Sequence, residues 1–513
     1  MSVPEAVGVA GVVAALSATS DLARGHPSGE AMRACLLAAE LARRAGLDPV
    51  QQSDVYYTTL LRFAGCTATS HEIATTLGGD DVVVRARGDL VDPTRPLEAL
   101  RFLLFVAGLG EGRGRLDVLR GVPRLADTKR EAARADCEVG ASLVRRLRLP
   151  AQVQQAVLDG FERFDGHGAP AAKSGSDIAL ASRFAAVGYA AVMFDAAGGR
   201  AVGTEAVARW SGRALDPEIA AVFMDAPGDL LALSDPQDLH AAVVDAEPAP
   251  RRRFADEREL DEALIAYGDA ADLKSPWFSG HSRGVARLAR AAAERFPSAV
   301  SASIVRAAAL HDLGRVAVPT GVWERAGPLR PDEWELVRLH PYHTDRILAR
   351  SPVLAPVARI ASRHHERIDG SGYPAGVNGS DLDAAARLLA AADVLQALGE
   401  ARPHRPALGP AAASRAMAQM SLDRDAIRAV LDAAGAPPPR LPPMPAELTE
   451  RELQVLRLLV LGLTEAKVAA RLVVSQSTVH THTSHIYAKC GVTTRAGLAM
   501  FAMEHGLTSH EIT

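Results

Sequence analysis

The sequence has few cysteines, few aromatic residues and almost no net charge, and these shortages limit what it can be. Its four cysteines, in 513 residues, lie far apart and form no CxxC pair, which argues against a disulfide framework and a cysteine-type zinc site. Aromatic residues make up only 4% of the chain. With a formal net charge of −4, the chain has no overall basic field to attract nucleic acid or a membrane, so any such contact must come from a local surface.

Long uncharged hydrophobic runs are also missing. The best candidate for a membrane span, residues 178–194, contains Arg183. An apolar run at residues 7–15 follows no lysine or arginine and has Glu5 at its edge, so it does not match a signal peptide. We therefore expect a cytoplasmic protein. The apolar fraction of 48% excludes disorder over most of the length.

Most of the sequence has helical periodicity. Residues 283–295 and 302–310 place apolar side chains three and four positions apart, and the one short strand-like pattern is residues 81–85. Two segments predict linkers, residues 245–253 (DAEPAPRRR) and the proline-rich residues 434–445 (AGAPPPRLPPMP). The length fits about three domains, and the patterns predict an all-α protein.

Two distant parts of the chain repeat each other. The stretch ERIDGSGYP, which begins at Glu366, recurs as ERFDGHGAP, which begins at Glu162. The stretch ALHDLG at 309–314 matches LLRFAG at 60–65. The sequence therefore predicts two divergent copies of one helical domain before the proline-rich segment.

The second copy concentrates histidine and aspartate on predicted helices and helix ends. Neutral imidazoles and carboxylates are ligands for borderline divalent metals, and seven of them exceed the needs of one ion. Two ions could stabilise both the attacking and the leaving oxygen of a phosphodiester. A single histidine is more often an ordinary core or surface residue, which is our interpretation of His343 and His404. The candidate metal ligands are His281, His311, Asp312, His340, His364, His365 and Asp393.

The text around these residues resembles the HD-GYP family of metal-dependent phosphodiesterases, over roughly residues 255–432. The resemblance rests on HDLGR at 311–315, HP at 340–341, HHERIDGSGYP at 364–374, ADV at 392–394 and RPHR at 402–405.

The resemblance implies a helical bundle that hydrolyses cyclic di-GMP or a related nucleotide through two bound ions, iron or manganese. It implies that Asp312 bridges the two ions and that Asp312 and Arg315 are the catalytic residues. The substrate-binding residues that it implies are Arg315, Gly372, Tyr373 and Pro374.

Several positions depart from the family's pattern. Arg315 replaces a lysine, Gln396 replaces an acid, and RPHR replaces RPYR. Trp277 occupies the position of a glutamate that some members use for a third metal, which favours a two-metal centre. None of these changes removes a presumed ligand, so they leave open the substrate and the retention of hydrolysis rather than metal binding.

In the first copy, the corresponding positions cannot rebuild a metal centre. They hold two carboxylates and no histidine, and Arg62 adds a positive charge where a metal would lie. His26 and His167 lie nearby in sequence, but we predict them in exposed loops. The first copy is therefore predicted to be a non-catalytic scaffold or a sensing pocket. The corresponding positions are Glu30, Arg62, Phe63, Asp136, Gly160, Phe161 and Tyr189.

The C-terminal segment, from Leu448, predicts a helix-turn-helix. Thr464 can cap one short helix, and Ser475 can cap the next, which would enter a DNA major groove. A small helical docking module is the alternative. The segment resembles the LuxR-type DNA-binding domain through LTERELQVL, GLT, TVHTH and IYAKCGV, over roughly residues 446–508.

This resemblance makes DNA the expected partner. Residues 446–513 carry six Lys plus Arg against six Asp plus Glu, which predicts weak non-specific binding. We predict phosphate contacts from Lys489 and Arg495, and DNA contacts from the helix residues Gln476, Ser477, His480 and Thr481. Two-fold dimers are common among such DNA binders, so a homodimer is a further partner to test.

Together these patterns predict a bacterial regulator that couples phosphodiesterase activity to transcription regulation. The alternatives are a transcription factor whose HD-GYP unit only binds a ligand or dimerises, and a purely structural protein in which both motif sets are vestigial. The predicted domains are a degenerate HD-GYP-like domain at 1–245, an HD-GYP phosphohydrolase domain at 255–432, a proline-rich linker at 433–445 and a LuxR-type domain at 446–513.

Overall fold

The computed structural model is all-helical, as the periodicity predicts. Over the residues that it describes, β-type pairing is limited to isolated bridges, such as Gly8 with Arg253, and no strand is formed. The described residues are 7–77, 79–109, 125–296, 300, 303–379, 381–435, 445–505 and 507–508.

Contacts within the chain divide it into two compact units. The first comprises Met1–Ala263 with Arg350–Val353, and the second comprises Leu264–Ala349 with Leu354–Thr513. The helix Arg424–Ala434 extends into the linker predicted at 433–445, and residues 436–444 of that linker lie outside the described residues.

The first unit is built around a buried apolar helix, Leu180–Gly198, which packs against Glu30–Arg44, Pro49–Leu61 and Arg200–Trp210. It is the one helix of the described chain that is long and apolar enough to cross a membrane, and 67% of its apolar window is buried inside the fold. The α-helices are Val9–Ala23, Glu30–Arg44, Pro49–Leu61, Ser70–Leu77, Asp81–Gly88, Pro96–Leu109, Leu125–Arg146, Ala151–Leu158, Leu180–Gly198, Arg200–Trp210, Pro217–Met224, Pro227–Leu233 and Leu239–Asp245, with 3₁₀ turns at Cys66–Thr69 and Gly175–Asp177. The helix Glu257–Asp272 begins in this unit and continues past its last residue, Ala263.

The strand-like pattern at 81–85 was a wrong prediction, because these residues begin the helix Asp81–Gly88. The side chain of Asp80 accepts a hydrogen bond from the backbone N–H of Val83 at 2.9 Å, which caps the first turn. A capped helix end is worth about 1 kcal/mol and favours the helix, whereas the strand preference of valine depends strongly on its packing neighbours.

The second unit contains a bundle and, C-terminal to it, four short helices. The predicted helices at 283–295 and 302–310 are confirmed as His281–Ala293 and Ser303–Leu310. The other α-helices are Thr320–Trp323, Pro331–Leu348, Ala355–Ala361, Ala384–Leu398, Pro410–Met417, Arg424–Ala434, Glu450–Val460, Glu465–Leu472, Gln476–Cys490 and Arg495–Glu504, with 3₁₀ turns at Pro276–Phe278, Leu313–Ala317 and Pro445–Glu447.

Both units contain the same close approach between a glycine and a helix. A Cβ atom on Gly65 would lie 2.0 Å from the carbonyl oxygen of Asp136, and one on Gly314 would lie 1.9 Å from the carbonyl oxygen of His340. No side chain fits at such distances, so glycine is required at both positions. In the sequence repeat, Gly65 corresponds to Gly314 and Asp136 corresponds to His340.

A second shared feature is the loop that contains the repeated motif, which begins at Glu162 in one unit and at Glu366 in the other. In each copy a buried glutamate, Glu162 or Glu366, accepts backbone N–H groups nine and eleven residues further along, at 2.6–3.0 Å. In each copy a glycine, Gly166 or Gly370, has a positive φ of 78° or 77°. The two loops are therefore built on the same hydrogen bonds and the same turn.

Candidate metal centre and nucleic-acid interface

The seven predicted metal ligands lie together in the interior of the second unit. His281 begins its helix directly after Gly280, whose positive φ of 80° turns the chain into the first helical turn. His311 and Asp312 follow the helix Ser303–Leu310, and the remaining ligands come from three further places: His340 within Pro331–Leu348, His364 and His365 after Ala355–Ala361, and Asp393 within Ala384–Leu398.

These side chains form two adjacent groups. In each group one ligand atom per residue lies within 4.8 Å of every other. Between the groups, His340 Nε2 lies 3.3 Å and His364 Nε2 lies 3.4 Å from one oxygen of Asp312, Oδ1. The groups are His281, His311, Asp312 and Asp393, and His340, His364 and His365.

Asp312 connects the two groups because its two carboxylate oxygens face different neighbours. Oδ1 faces His340 and His364, whereas Oδ2 lies 2.8 Å from His311 Nε2 and 3.5 Å from His281 Nε2. A carboxylate with one oxygen directed at each group can bridge two ions. This geometry supports the role that the resemblance implies for Asp312.

Three of the histidines are held in one tautomer by the backbone. The Nδ1 atoms of His311, His340 and His364 lie 2.8, 2.6 and 2.7 Å from the carbonyl oxygen three residues earlier in each case. Because a carbonyl can only accept, Nδ1 carries a proton in each ring, which leaves Nε2 as the nitrogen available to a metal at the centre. The backbone thus prepares three imidazoles as ligands.

His281 is oriented by a carboxylate that the sequence analysis missed. Glu400 Oε2 lies 2.9 Å from His281 Nδ1, and Glu400 also accepts from Gln396 and Arg402 at 2.7 Å each. Carboxylate partners of this kind orient metal-binding histidines. Glu400 lies just beyond the end of the helix Ala384–Leu398 that holds Asp393, so helical periodicity provided no signal for it in the sequence.

The charge states of the metal-free centre are mixed. Burial lowers the pKa of His311 and of His281, but the neighbouring carboxylates outweigh burial, raising the pKa of His311 to about 9 and that of His281 well above its usual range, so these two imidazoles must lose a proton to bind metal. Burial would raise the pKa of Asp312, but Arg315 and His311 outweigh burial and hold it well below its ordinary value. Burial lowers the pKa of His340 to about 4, and burial with the neighbouring histidines holds the pKa of His365 well below its usual range. The Asp312 carboxylate is therefore ionised and the imidazoles of His340 and His365 are neutral, which are the forms that bind metal.

The donor set fits divalent transition metals. His311 Nε2 and Asp312 Oδ1 are buried and make no hydrogen bond of acceptable geometry. Buried polar atoms without partners are costly, and a cation between the groups would satisfy both. Imidazole and carboxylate ligands suit iron, manganese and zinc, so the arrangement does not select one metal.

The implied substrate-binding residues border this centre. Arg315 Nη2 lies 2.6 Å from Asp312 Oδ2, while Arg315 Nε and Nη1 are buried without hydrogen-bond partners. The ring of Tyr373 stacks on His365 with centroids 4.7 Å apart. A Cβ atom on Gly372 would lie 2.5 Å from the backbone nitrogen of Arg367, so the turn that carries Tyr373 and Pro374 requires glycine there.

The first-copy positions have different surroundings. Glu30 pairs with Arg24 at 3.2 Å, Asp136 pairs with Arg85 at 3.3 Å, and Gly160 has no side chain to offer. Both groups of potential metal ligands found among the described residues belong to the second unit. The remaining four positions line one cavity: Arg62, Phe63, Phe161 and Tyr189.

One prediction for the first copy was wrong. His26, expected in an exposed loop, is buried, and its ring lies 3.0 Å from both Asp89 and Glu30. Burial lowers the pKa of His26, but the bonds to the two carboxylates outweigh burial and raise it to about 9. His167 is exposed, as predicted.

The C-terminal helices form the predicted helix-turn-helix. Thr464 Oγ1 accepts from the N–H of Lys467 at 3.4 Å, and Ser475 Oγ accepts from the N–H of Thr478 at 3.1 Å, so both predicted caps are present. Between the two helices, Val473 adopts the left-handed conformation with φ of 54°.

The predicted DNA-contacting residues separate into two kinds. Gln476, Ser477, His480 and Thr481 are exposed on the helix Gln476–Cys490, whose buried side chains include Val479 and Ile486. The ring of exposed His480 lies 3.3 Å from the carboxylate of Glu465. The two predicted phosphate contacts are engaged within the protein instead. The ammonium of Lys489 lies 2.7 Å from the carboxylate of Glu452, and Arg495 donates to the carbonyl oxygens of Leu459 and Leu463.

Two regions of the chain match known protein families. Residues 267–426 match the family described as HD domain, and residues 446–502 match the family described as bacterial regulatory proteins, luxR family. The chain therefore carries an HD-type phosphohydrolase region, followed by a LuxR-type helix-turn-helix domain.

Two relatives show how far the similarity reaches, and the first of them matches more of the chain than the two family regions do. The chain is 28% identical to the 3′3′-cGAMP-specific phosphodiesterase 3 of Vibrio cholerae over 403 residues, which are 77% of this chain and 86% of that protein. It is 43% identical to the cyclic di-GMP phosphodiesterase response regulator RpfG of Xanthomonas campestris over 106 residues, which are 20% of this chain and 28% of that protein.

A solved structure shares the fold. The crystal structure of a cyclic GMP-AMP-specific phosphodiesterase of Vibrio cholerae matches 85% of this chain and 99% of its own, with a TM-score of 0.57 and 23% identity. The second unit thus combines a phosphohydrolase-type region that is similar to cyclic dinucleotide phosphodiesterases with a His/Asp site suited to metal.

Proposed function

We propose that this chain is a cytoplasmic regulator in which a two-metal cyclic dinucleotide phosphodiesterase controls a DNA-binding domain. The observation that carries the proposal is the position of Asp312 between two groups of metal ligands, with one carboxylate oxygen facing each. A single-metal or purely structural site would not need seven convergent ligands around one shared carboxylate.

In this proposal the second unit's seven ligands hold two divalent cations, iron or manganese. When bound, such a pair supplies Lewis acidity toward a phosphodiester. Asp312 and Asp393 balance the cations' charge, and Glu400 fixes the ring of His281. Arg315 directs its unpartnered Nε and Nη1 groups to a phosphate oxygen.

The reaction is hydrolysis of a cyclic dinucleotide. A water oxygen forms a bond to phosphorus, one ester P–O bond breaks, and the departing oxygen takes up a proton, which leaves a linear dinucleotide with a terminal phosphate. The similarity to the 3′3′-cGAMP-specific enzyme spans more of this chain than the similarity to RpfG. We therefore place 3′3′-cGAMP beside cyclic di-GMP as a candidate substrate.

The first unit, in the same proposal, is a degenerate copy of the second that does not catalyse. The shared glycine–helix approach and the shared glutamate loop support a common framework, and the loss of every histidine ligand supports the loss of metal.

The C-terminal domain binds DNA through the exposed residues Gln476, Ser477, His480 and Thr481. Because Lys489 and Arg495 are engaged within the domain, few cations remain to neutralise phosphates. A two-fold homodimer would double the contacts and supply the affinity that one domain lacks.

Metal content and hydrolysis test the enzyme. The full chain would be purified, its iron and manganese quantified, and its hydrolysis of cyclic di-GMP and 3′3′-cGAMP compared with that of Asp312→Ala. Asp332→Ala, an exposed aspartate on the helix that holds His340, is the matched control. We expect two metals and turnover that only Asp312→Ala abolishes. Stoichiometric metal without hydrolysis of either nucleotide would leave a ligand-binding module instead.

Binding to DNA is tested separately. The full chain should shift fragments of its own promoter region, and a chain ending at Ala434 should not. Retention of that shift by the shortened chain would exclude the C-terminal helices as the DNA-binding element.

A further inference from the structure

The first unit contains a cavity of about 160 Å³, lined by four of the positions that the repeat equates with metal ligands. Arg62 and Phe63 correspond to His311 and Asp312 of the second unit. A volume of this size accommodates a small aromatic ring.

The cavity has aromatic walls. The ring of Phe63 lies 4.8 Å from that of Tyr189 and 5.6 Å from that of Phe161, measured between centroids. Trp210 also lines the cavity. Such walls favour a flat apolar group, which would contact the rings without losing hydrogen bonds to water.

Arg62 brings to the cavity a positive charge that no carboxylate pairs with directly. Its guanidinium makes no carboxylate ion pair with any described residue; Nη1 lies 3.3 and 3.4 Å from two oxygens of Ser182, and Nε is buried without a partner. The other two arginines in the wall are neutralised, Arg24 by Asp89 and Glu30, and Arg163 by Asp92 and Asp165.

Two hydrogen-bond donors in the wall lack acceptors. Besides Arg62 Nε, the indole Nε1 of Trp210 is buried without a hydrogen-bond partner. The wall's carboxylates are already engaged, Asp89 by Arg24 and His26, and Glu162 by two backbone N–H groups. A complementary ligand therefore brings acceptors and negative charge.

We infer that this cavity binds a small organic anion, a carboxylate or phosphate group on a flat apolar body. The anionic oxygens pair with Arg62 and Trp210 Nε1, and the apolar body packs against Phe63, Phe161 and Tyr189. The cation that excludes a metal from this position thus creates a site for the opposite charge.

Binding of three matched probes to the full chain tests this inference. Phenyl phosphate, benzoate and uncharged benzyl alcohol would be titrated with a chelator present, which removes metal-dependent binding in the second unit. Tryptophan fluorescence reports occupancy next to Trp210, and Trp210→Phe identifies its share of the signal. The two anions distinguish a phosphate ligand from a carboxylate ligand.

Charge removal at Arg62 is the decisive comparison. We expect at least one anion to bind saturably, benzyl alcohol not to bind, and Arg62→Met to weaken the anion about 10- to 100-fold, the value of a charge-assisted hydrogen bond. Arg43→Met, an exposed arginine paired with Glu40, should leave the dissociation constant unchanged.

Two outcomes overturn the inference: neither anion binds, or an anion binds Arg62→Met as tightly as the parent. Arg62→Lys covers the case in which Arg62→Met fails to fold, since it keeps the charge but loses the planar fork. It should bind more weakly than the parent, and equal binding by Arg62→Lys would also count against the proposed pairing.

Discussion

Replacing Glu400 by glutamine tests whether the buried carboxylate behind His281 tunes the metal centre. Glu400→Gln preserves the shape of the side chain and removes its charge. Burial would raise the pKa of Glu400, but His281 and Arg402 outweigh burial and lower it to about 2, so the parent residue is a carboxylate at neutral pH. The substitution therefore changes one buried partner of His281 from anionic to neutral.

The size of the effect follows from what glutamine retains. Its carbonyl oxygen can still accept from His281 Nδ1, so the hydrogen bond survives while its charge assistance is lost. Removing such partners altogether weakens metal binding about 10- to 100-fold. We expect the lower end, about 10-fold or 1.4 kcal/mol, because only the charge is removed. Arg402 also loses its 2.7 Å ion pair, so the metal-free protein should unfold more easily.

Titration of the metal-free protein with Mn²⁺ measures this effect. The chain would be stripped with a chelator and titrated while bound metal and phosphodiesterase rate are both followed. Glu400→Gln should need about ten times more Mn²⁺ for half-maximal activity and should regain most of the parent's rate at saturation. Glu294→Gln, on the exposed end of the helix that begins with His281, is the matched control.

Two results would refute this reasoning. An unchanged Mn²⁺ requirement would mean that Glu400 does not influence the ligand. A rate that excess Mn²⁺ cannot restore would place Glu400 in the chemistry itself or in the folding of the site, rather than behind a ligand.

Four further predictions concern other parts of the chain. Gly372→Ala should destabilise the second unit by at least about 1–3 kcal/mol in thermal unfolding, because its Cβ would meet backbone, whereas Gly327→Ala, with open space around it, should be neutral. His26, whose pKa is raised to about 9, contributes stability that is fully present below about pH 6.5 and is lost as the pH rises through 9; urea unfolding should show a loss of up to about 3 kcal/mol that His26→Gln abolishes. Lys489→Ala should lower thermal stability without changing the salt dependence of DNA binding, and Gln476→Ala should weaken specific binding by about 1–3 kcal/mol at one base pair. A reduced salt slope in the lysine variant would restore it as a phosphate contact.

The all-helical fold could be predicted because helical periodicity depends on neighbours within one turn. The caps at Thr464 and Ser475 could also be predicted, because each side chain accepts a hydrogen bond from an N–H group only three residues away. The failure at 81–85 has the same physical origin, since a strand-like run of valines follows an aspartate whose cap favours a helix.

The convergence of the seven ligands could be expected from their motifs, but their supporting contacts could not. Glu400 supports His281 across 119 residues of sequence, and Lys489 is captured by Glu452 across 37. No local pattern reports a partner at such a distance, because partner choice depends on tertiary packing. The contacts of Lys489 within the chain and the missed carboxylate Glu400 therefore have one cause, while Lys489 as a phosphate contact stays a prediction.

Framework and chemistry are separable in this fold, and the two units are our main reason for that conclusion. Each unit has a glycine that lets a helix approach closely, Gly65 in the first and Gly314 in the second. Each also has a glutamate that accepts backbone N–H groups of its own loop, Glu162 in the first and Glu366 in the second. The glutamates supply acceptors to buried backbone N–H groups, and the glycines leave no Cβ atom to clash with the helix. Both residues are therefore needed whatever the site binds. The side chains inside carry no such requirement. At positions that the sequence repeat equates, His311 belongs to the candidate metal site and Arg62 lines the cavity for which we propose an anion, while the glycine approach and the glutamate loop are the same in both units.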